Sequence, residues 1–238
     1  MRTVLITGAS SDIGLAACRI YLAAGWHVIG HYRTMRPEFK TLCWEAGTAL
    51  APWHCDFADT QALEAVLTVE PERFAAVDAL VNLAAELRPK RFEQLEAAEI
   101  LRSFAVNLVP GLLLMRTVTP GMIARGWGRI IHGSSIGVKY GGGAESFCYS
   151  LAKHGMEFMP SAHKQWAAAG VLVNVLRIGV TDTRFHAQAP GKNMVARAAM
   201  IPIGRMASAE EIAETLFWLG SEHNSYTTGQ VIACAGGE

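Results

Sequence analysis

The chain has 238 residues, 51% of them apolar, enough for a sizeable core in one α/β domain or two small ones. Its 21 basic and 21 acidic residues cancel, so nothing in the charge balance points to a general nucleic-acid or membrane binder. The five cysteines (Cys18, Cys43, Cys55, Cys148, Cys234) are scattered, with no CxxC and no His/Cys cluster at zinc spacing, which argues against a disulfide framework or a metal module and fits a reduced, cytoplasmic protein.

In chain order, the first predicted strand is 3–7, which runs into the turn "GASSDIG" and a helix over 13–24. The apolar start is too short for a signal peptide. Gly8 permits a tight turn, and Gly14 lets helix pack closely on sheet. Ser10 and Ser11 offer hydroxyl and backbone donors, and the helix opening at Asp12 and Ile13 points free N–H groups and a positive dipole end at a phosphate. Asp12 has two placements. It caps the helix, or it faces outward and repels the phosphate.

A strand over 27–31 follows, ending in "HYRT". A dinucleotide fold that prefers NAD places an acid near here. This chain has Tyr32 with Arg33 beside it, and a guanidinium suits a 2′-phosphate, so NADP is favoured, with NAD still possible. The alternative for Arg33 is an ordinary solvated strand end. After a strand over 48–54, Asp56 and its neighbour Phe57 are candidate adenosine contacts; Asp56 accepts from the adenine amino group or caps the helix predicted over 60–69.

The remaining predicted strands are 79–83, 129–132, 171–176 and 230–234, and the helices are 97–125, 147–169 and 209–220. Strands alternating with helices imply right-handed βαβ units. The fold class is α/β: one doubly wound Rossmann-type domain over 1–238, with a mostly or wholly parallel seven-stranded sheet covered on both faces. Pro110 and Pro160 predict kinks or breaks in two of the helices. The apolar run "NLVPGLLLM" is too short to cross a bilayer.

Tyr149 and Lys153 lie four apart, on one face of the predicted helix 147–169. A tyrosine is a poor acid or base at neutral pH, and a neighbouring ammonium is expected to lower its pKa. Together with "TGASSDIG", "NLAA" (82–85), Asn107 in "VNL", the pair Ser134–Ser135, "RIGVTDT" and "GQVIACAGG", this pattern resembles the short-chain dehydrogenase/reductase family, in its 3-oxoacyl reductase-like branch, over nearly the whole chain.

The resemblance implies roles. Tyr149 exchanges a proton with a ketone oxygen, Ser135 bonds that oxygen, Lys153 tunes the phenol and binds the nicotinamide ribose, and Asn107 holds a water linking Lys153 to solvent. Asn82 would steady the central strands and Ala84 line the adenosine. Gly179, Thr181 and Thr183 would border the nicotinamide, Thr181 through its backbone and Thr183 through its hydroxyl. Asp12, Ala85, Ile178 and Ala235 depart from the family's pattern. Because the catalytic side chains are all present, the turn is expected to bind a cofactor with Asp12 capping its helix.

Two segments are expected at the mouth of the site. "ELRPKRF" holds Arg88, Lys90 and Arg91. A substrate lid at about 183–209 holds Arg184, His186, Lys192, Arg197 and Arg205 and no acid, which suggests an anionic substrate. Apolar stripes in "EFMPSAHKQW" and "AEEIAETLFWLGSE" resemble the family's dimer and tetramer contacts. The expected protein is an NAD(P)-dependent oxidoreductase acting on a small ketone or alcohol. The alternative is a silent nucleotide-binding regulator of the same fold.

Overall fold

The computed structural model describes residues 1–188 and 193–238. Seven strands, β1 (Thr3–Thr7), β2 (His27–Tyr32), β3 (Leu50–His54), β4 (Ala79–Asn82), β5 (Gly128–Ser135), β6 (Val171–Ile178) and β7 (Gln230–Cys234), form one sheet in the order β3-β2-β1-β4-β5-β6-β7. Every pairing is parallel. The chain winds outward from β1 to β3, then crosses back to place β4 on the other side of β1. The reversal opens a crevice above the carboxyl ends of β1 and β4, where ligands of such sheets bind.

The helices are α1 (Asp12–Ala23), α2 (Pro37–Ala46), α3 (Thr60–Val69), α4 (Pro71–Ala75), α5 (Ala97–Asn107), α6 (Val109–Arg125), α7 (Phe147–Gly155), α8 (His163–Ala168), α9 (Met194–Ala199) and α10 (Ala209–Gly220). Successive side chains of a strand face opposite sides. Val4 and Ile6 accordingly join Tyr21 of α1, Phe39 of α2 and Leu216 of α10 in one core. Leu5 joins Leu63 of α3, Phe74 of α4 and Leu114, Val118 and Met122 of α6 in the other. At roughly 1.5–3 kcal/mol for each large apolar side chain buried, these two layers dominate the stabilisation.

Several expected boundaries move. The strand expected over 48–54 begins at Leu50, after a short 3₁₀ turn at Gly47–Ala49. β5 and β6 outrun their apolar cores because pairing continues through Gly133↔Leu176 to Ser135↔Ile178, and this extension carries the serine pair to the crevice. The helix expected over 97–125 breaks at Leu108 (φ −126°, ψ −58°), just ahead of Pro110, which sits in the first turn of α6 where its missing N–H costs nothing. Pro120 lies within α6. Within Ala97–Arg125 an 18-residue window has a mean hydropathy of 1.4, apolar enough by composition to cross a membrane, which "NLVPGLLLM" understates, but the stretch is divided at Leu108 and α6 packs on the sheet. The helix expected over 147–169 is two helices, with Pro160 in the connection.

α2, α4 and α9 were not expected from the pattern of apolar residues. α2 and α4 each open on a proline followed by an acid, Pro37–Glu38 and Pro71–Glu72, which is a helix-start signal.

Candidate active site

The phosphate turn is built from backbone. Gly8 has φ 70°, and a Cβ there would come within 3.0 Å of the Ala84 nitrogen; a Cβ on Gly14 would lie 2.1 Å from the Gly8 carbonyl oxygen. Ser11 is the helix cap, with its Oγ accepting from the Gly14 N–H at 3.1 Å. Asp12 therefore does not cap α1. It is the first helical residue, on the same face as Leu15, Ala16 and Arg19, and with them lines a cleft of about 340 Å³ beside Glu38 and Arg184.

Its carboxylate accepts from the Arg184 backbone N–H at 2.8 Å and from Nε at 2.7 Å, with Nη2 as a third donor. Partial burial raises the Asp12 pKa, but the hydrogen bonds and charge of Arg184 outweigh it and hold the carboxyl below its ordinary range.

Beneath the turn lies His31, which sequence reasoning passed over. The Gly8 N–H donates to Nδ1 at 3.2 Å, and Nε2 donates to the Cys55 carbonyl at 3.0 Å. The ring stacks on Phe57 with centres 3.8 Å apart. Phe57 is buried, with its ring in the core. Asp56 is exposed and accepts from the Ala58 N–H, whereas the cap of α3 is Asp59, accepting from Ala62; the capping alternative for Asp56 fails. Thr7 Oγ1 accepts from the N–H groups of Leu83 and Ala84 and locks the end of β4 to β1. Asn82 donates to His132 Nδ1 at 2.9 Å across β4 and β5.

Tyr32 packs half-buried against Phe39 and His54. Arg33 is neither free nor simply solvated: it donates to Glu86 at 2.9 Å. Glu86 also accepts two bonds from Arg102, at 2.9 and 3.1 Å. The main chain of Glu86 is clasped by Asn107, whose Oδ1 accepts from its N–H at 2.9 Å and whose Nδ2 donates to its carbonyl at 3.0 Å. Asn107 is buried, and Nδ2 also reaches the Ser103 carbonyl, so its side chain is committed to Glu86 and α5. Sequence reasoning missed Glu86, because nothing local distinguishes it from any other acid after a strand.

The two serines diverge. Ser134 is buried and turned away from the crevice; its hydroxyl donates to Glu157 at 2.7 Å, with the Lys153 carbonyl at 3.2 Å. Glu157 is also bonded twice by Arg177. Ser135 is half-buried, accepts from the Gly137 N–H at 3.2 Å and lies close enough to Tyr149 to draw its phenol down. Lys153 is buried, with Nζ donating to the Gly133 carbonyl at 2.7 Å and lying 5.9 Å from the centre of the Tyr149 ring.

Burial pulls the ammonium down to about 8. It pushes the phenol up to about 12, only partly offset by Ser135. The expected lowering of the phenol by the ammonium is therefore not met, because Lys153 points its charge at a carbonyl and burial prevails.

Beyond β6, the Gly179 N–H donates to the Cys234 carbonyl at 2.9 Å. Thr181 is buried, and its carbonyl accepts from Thr183 Oγ1 at 3.3 Å and His186 Nε2 at 2.9 Å. Phe185 lies against Tyr149, ring centres 5.6 Å apart.

The basic lid is neutralised by acids from outside it. Arg184 pairs with Asp12 and Glu38, Arg197 with Glu238, and Arg205 with Glu211; Lys192 lies outside the described residues. A pocket beside Tyr149 is lined by Arg88, Lys90, Glu99, Glu145 and Cys148. Lys90 pairs with Glu99, while Arg88 makes no ion pair among the described residues.

A family model described as Enoyl-(Acyl carrier protein) reductase matches residues 8–238. The chain is 32% identical to the cis-4-hydroxycyclohexanecarboxylate dehydrogenase of Sinomonas cyclohexanicum, over 99% of this chain and 96% of that one. The chain belongs to the short-chain dehydrogenase/reductase family. Another relative is the acetoacetyl-CoA reductase of Rhizobium meliloti (strain 1021), 30% identical over 100% of this chain and 98% of its own. Among solved structures of the family, a candidate NAD(P)-dependent gluconate 5-dehydrogenase from Beutenbergia cavernae, with NADP bound at low occupancy, superposes with a TM-score of 0.88 at 33% identity, covering 99% of this chain and 96% of that one.

The residues present fit the family's dinucleotide. The bare backbone of the Gly8–Gly14 turn, the open end of α1, the crevice above β1 and β4 and the guanidinium of Arg33 supply what a pyrophosphate and a 2′-phosphate require.

Proposed function

We propose that the chain is an NADP(H)-preferring oxidoreductase that interconverts a secondary alcohol and a ketone, and that it runs as a reductase. The observation that carries this reading is the meeting of Ser135, Tyr149 and Lys153 at the carboxyl end of β5, with only β4 between it and the strand that opens into the glycine turn. When bound, the nicotinamide supplies or takes the hydride. Gly8, Ser10, Ser11, Ile13 and Gly14 cradle the pyrophosphate, Arg33 takes the 2′-phosphate, and Ala84, Gly179, Thr181 and Thr183 border the rest.

A phenol held up at about 12 is protonated at neutral pH, so Tyr149 stands ready to donate to a ketone oxygen. Ser135 bonds the same oxygen and stabilises charge developing there. Lys153, pulled down to about 8, still carries its charge at pH 7 and favours the phenolate left behind.

The substrate is read as a small ketone bearing an anion. The relatives named above act, by their names, on a cyclohexanecarboxylate and an acyl-CoA, and Arg88 lines the pocket beside Tyr149. Exposed apolar side chains on two helices and a connection, Leu101 of α5, Trp218 of α10 and Phe158 after α7, support a homodimer or homotetramer. The unpaired cysteines support a reduced, cytoplasmic protein. No observation favours the silent regulator.

The deciding experiment is a fluorescence titration with NADPH and NADH, followed by turnover against a panel of ketones. A chain that binds neither nucleotide would end this reading.

A further inference from the structure

Two consecutive lid residues join the two halves of the site. Arg184 is fastened to Asp12 at the start of α1, the helix that opens the phosphate turn. Phe185, next in the chain, lies against the ring of Tyr149 at a tilt of 46°. The Arg184 attachment is not side chain to side chain alone: the carboxylate takes the backbone N–H at 2.8 Å, which fixes the main chain from which Phe185 projects. Glu38 takes the remaining arm of the guanidinium at 3.0 Å, and the Thr181 carbonyl holds His186 on the far side of Phe185. Phe185 is thus tethered on both flanks.

We propose that Asp12 is a positioning residue: its carboxylate fastens the lid at Arg184 and so sets Phe185 over the phenol of Tyr149. Given the role read for Tyr149 above, the apolar ring roofs the place where the ketone must lie. An acid at this position of the turn then has a reason to be there. Its charge is directed to the lid and matched by Arg184 rather than aimed at the phosphate. Because Arg184 is partly exposed, the fastening is weak enough to open for substrate exchange.

The test is hydrogen exchange of the amides of residues 183–186, measured on the chain with no nucleotide added. Asp12→Ala is expected to speed exchange by about tenfold or more, and Arg184→Gln, which keeps the backbone contact, by about threefold, at unchanged thermal midpoints. Should Asp12→Ala fail to fold, Arg184→Gln carries the same reading. With a ketone that the wild type reduces, KM in these variants should rise by about fivefold, with kcat moving less, a split that a general loss of structure would not give.

Unchanged lid exchange in the variants overturns the proposal. So does Asp12→Ala binding NADPH about tenfold more tightly with the lid still protected, which would make the carboxylate a repeller of phosphate. Exchange is read without nucleotide, so failure of NADPH to bind wild type would sink the oxidoreductase reading and leave this result interpretable.

Discussion

Arg33 and Glu86 form an ion pair of 2.9 Å that crosses the carboxyl end of β1. Arg33 follows β2 and Glu86 follows β4, with β1 and its glycine turn between them, so the pair spans the crevice at its adenosine end. A 2′-phosphate must compete with this carboxylate for the guanidinium. Arg33→Ala is expected to weaken NADPH binding by about 10- to 100-fold, the worth of a charged hydrogen bond, and to leave NADH nearly unchanged. Glu86→Gln, by releasing Arg33, is expected to tighten NADPH a few-fold relative to NADH. Equal NADPH and NADH affinities in the wild type would contradict the preference.

Tyr149→Phe removes the proton donor and leaves the ring packed against Phe185. Turnover should fall by about 100- to 10,000-fold while NADPH still binds. Single-turnover absorbance of the nicotinamide checks the first half and fluorescence titration the second.

The reduction rate should be flat through neutral pH and fall above about 8, where Lys153 loses the charge that stabilises the phenolate. A rate that rises through pH 9 would mean that a deprotonated group limits reduction.

The serines separate by measurement. Ser135→Ala should lower kcat with little change in stability. Ser134→Ala takes a donor from the buried Glu157 and should cost about 1–2 kcal/mol in urea unfolding with KM little changed. The opposite assignment would appear as the reverse pattern.

Two buried rings set an acid limit on stability. Burial lowers His31 to about 4 and His132 to about 3, both below the ordinary value of 6.5. Between these values the unfolded chain binds protons that the folded chain refuses, so stability falls as pH drops through 6.5. From pH 7 to 5 the loss is roughly 2 kcal/mol per ring, to be read as a lower urea midpoint. His31→Asn should remove its share of that slope.

Much of the site was legible because its chemistry is local. Tyr149 and Lys153 share a helix face by spacing alone, and Gly8 and Gly14 sit where only a bare backbone fits. The residues that escaped notice, Glu86, His31, Glu157 and the Asp12–Arg184 pair, act on partners far away in sequence, up to 172 positions off in the case of Arg184. No window along the chain holds both members. Asn107 stands out in the sequence, but its hydrogen bonds could be assigned only once β4 had brought Glu86 to it.

The sequence by itself determined the alternation of strand and helix, the parallel sheet and the family, since period, length and turn chemistry are written residue by residue. Only the tertiary structure decided where the charges go. A carboxylate or guanidinium carries no mark of its partner, and the pairing follows from which ends of the strands the sheet order sets side by side. The lid that looked basic is matched by Asp12, Glu38, Glu211 and Glu238, and the phenol expected to be acidified is instead raised, because burial and the direction of one ammonium are properties of the packed molecule.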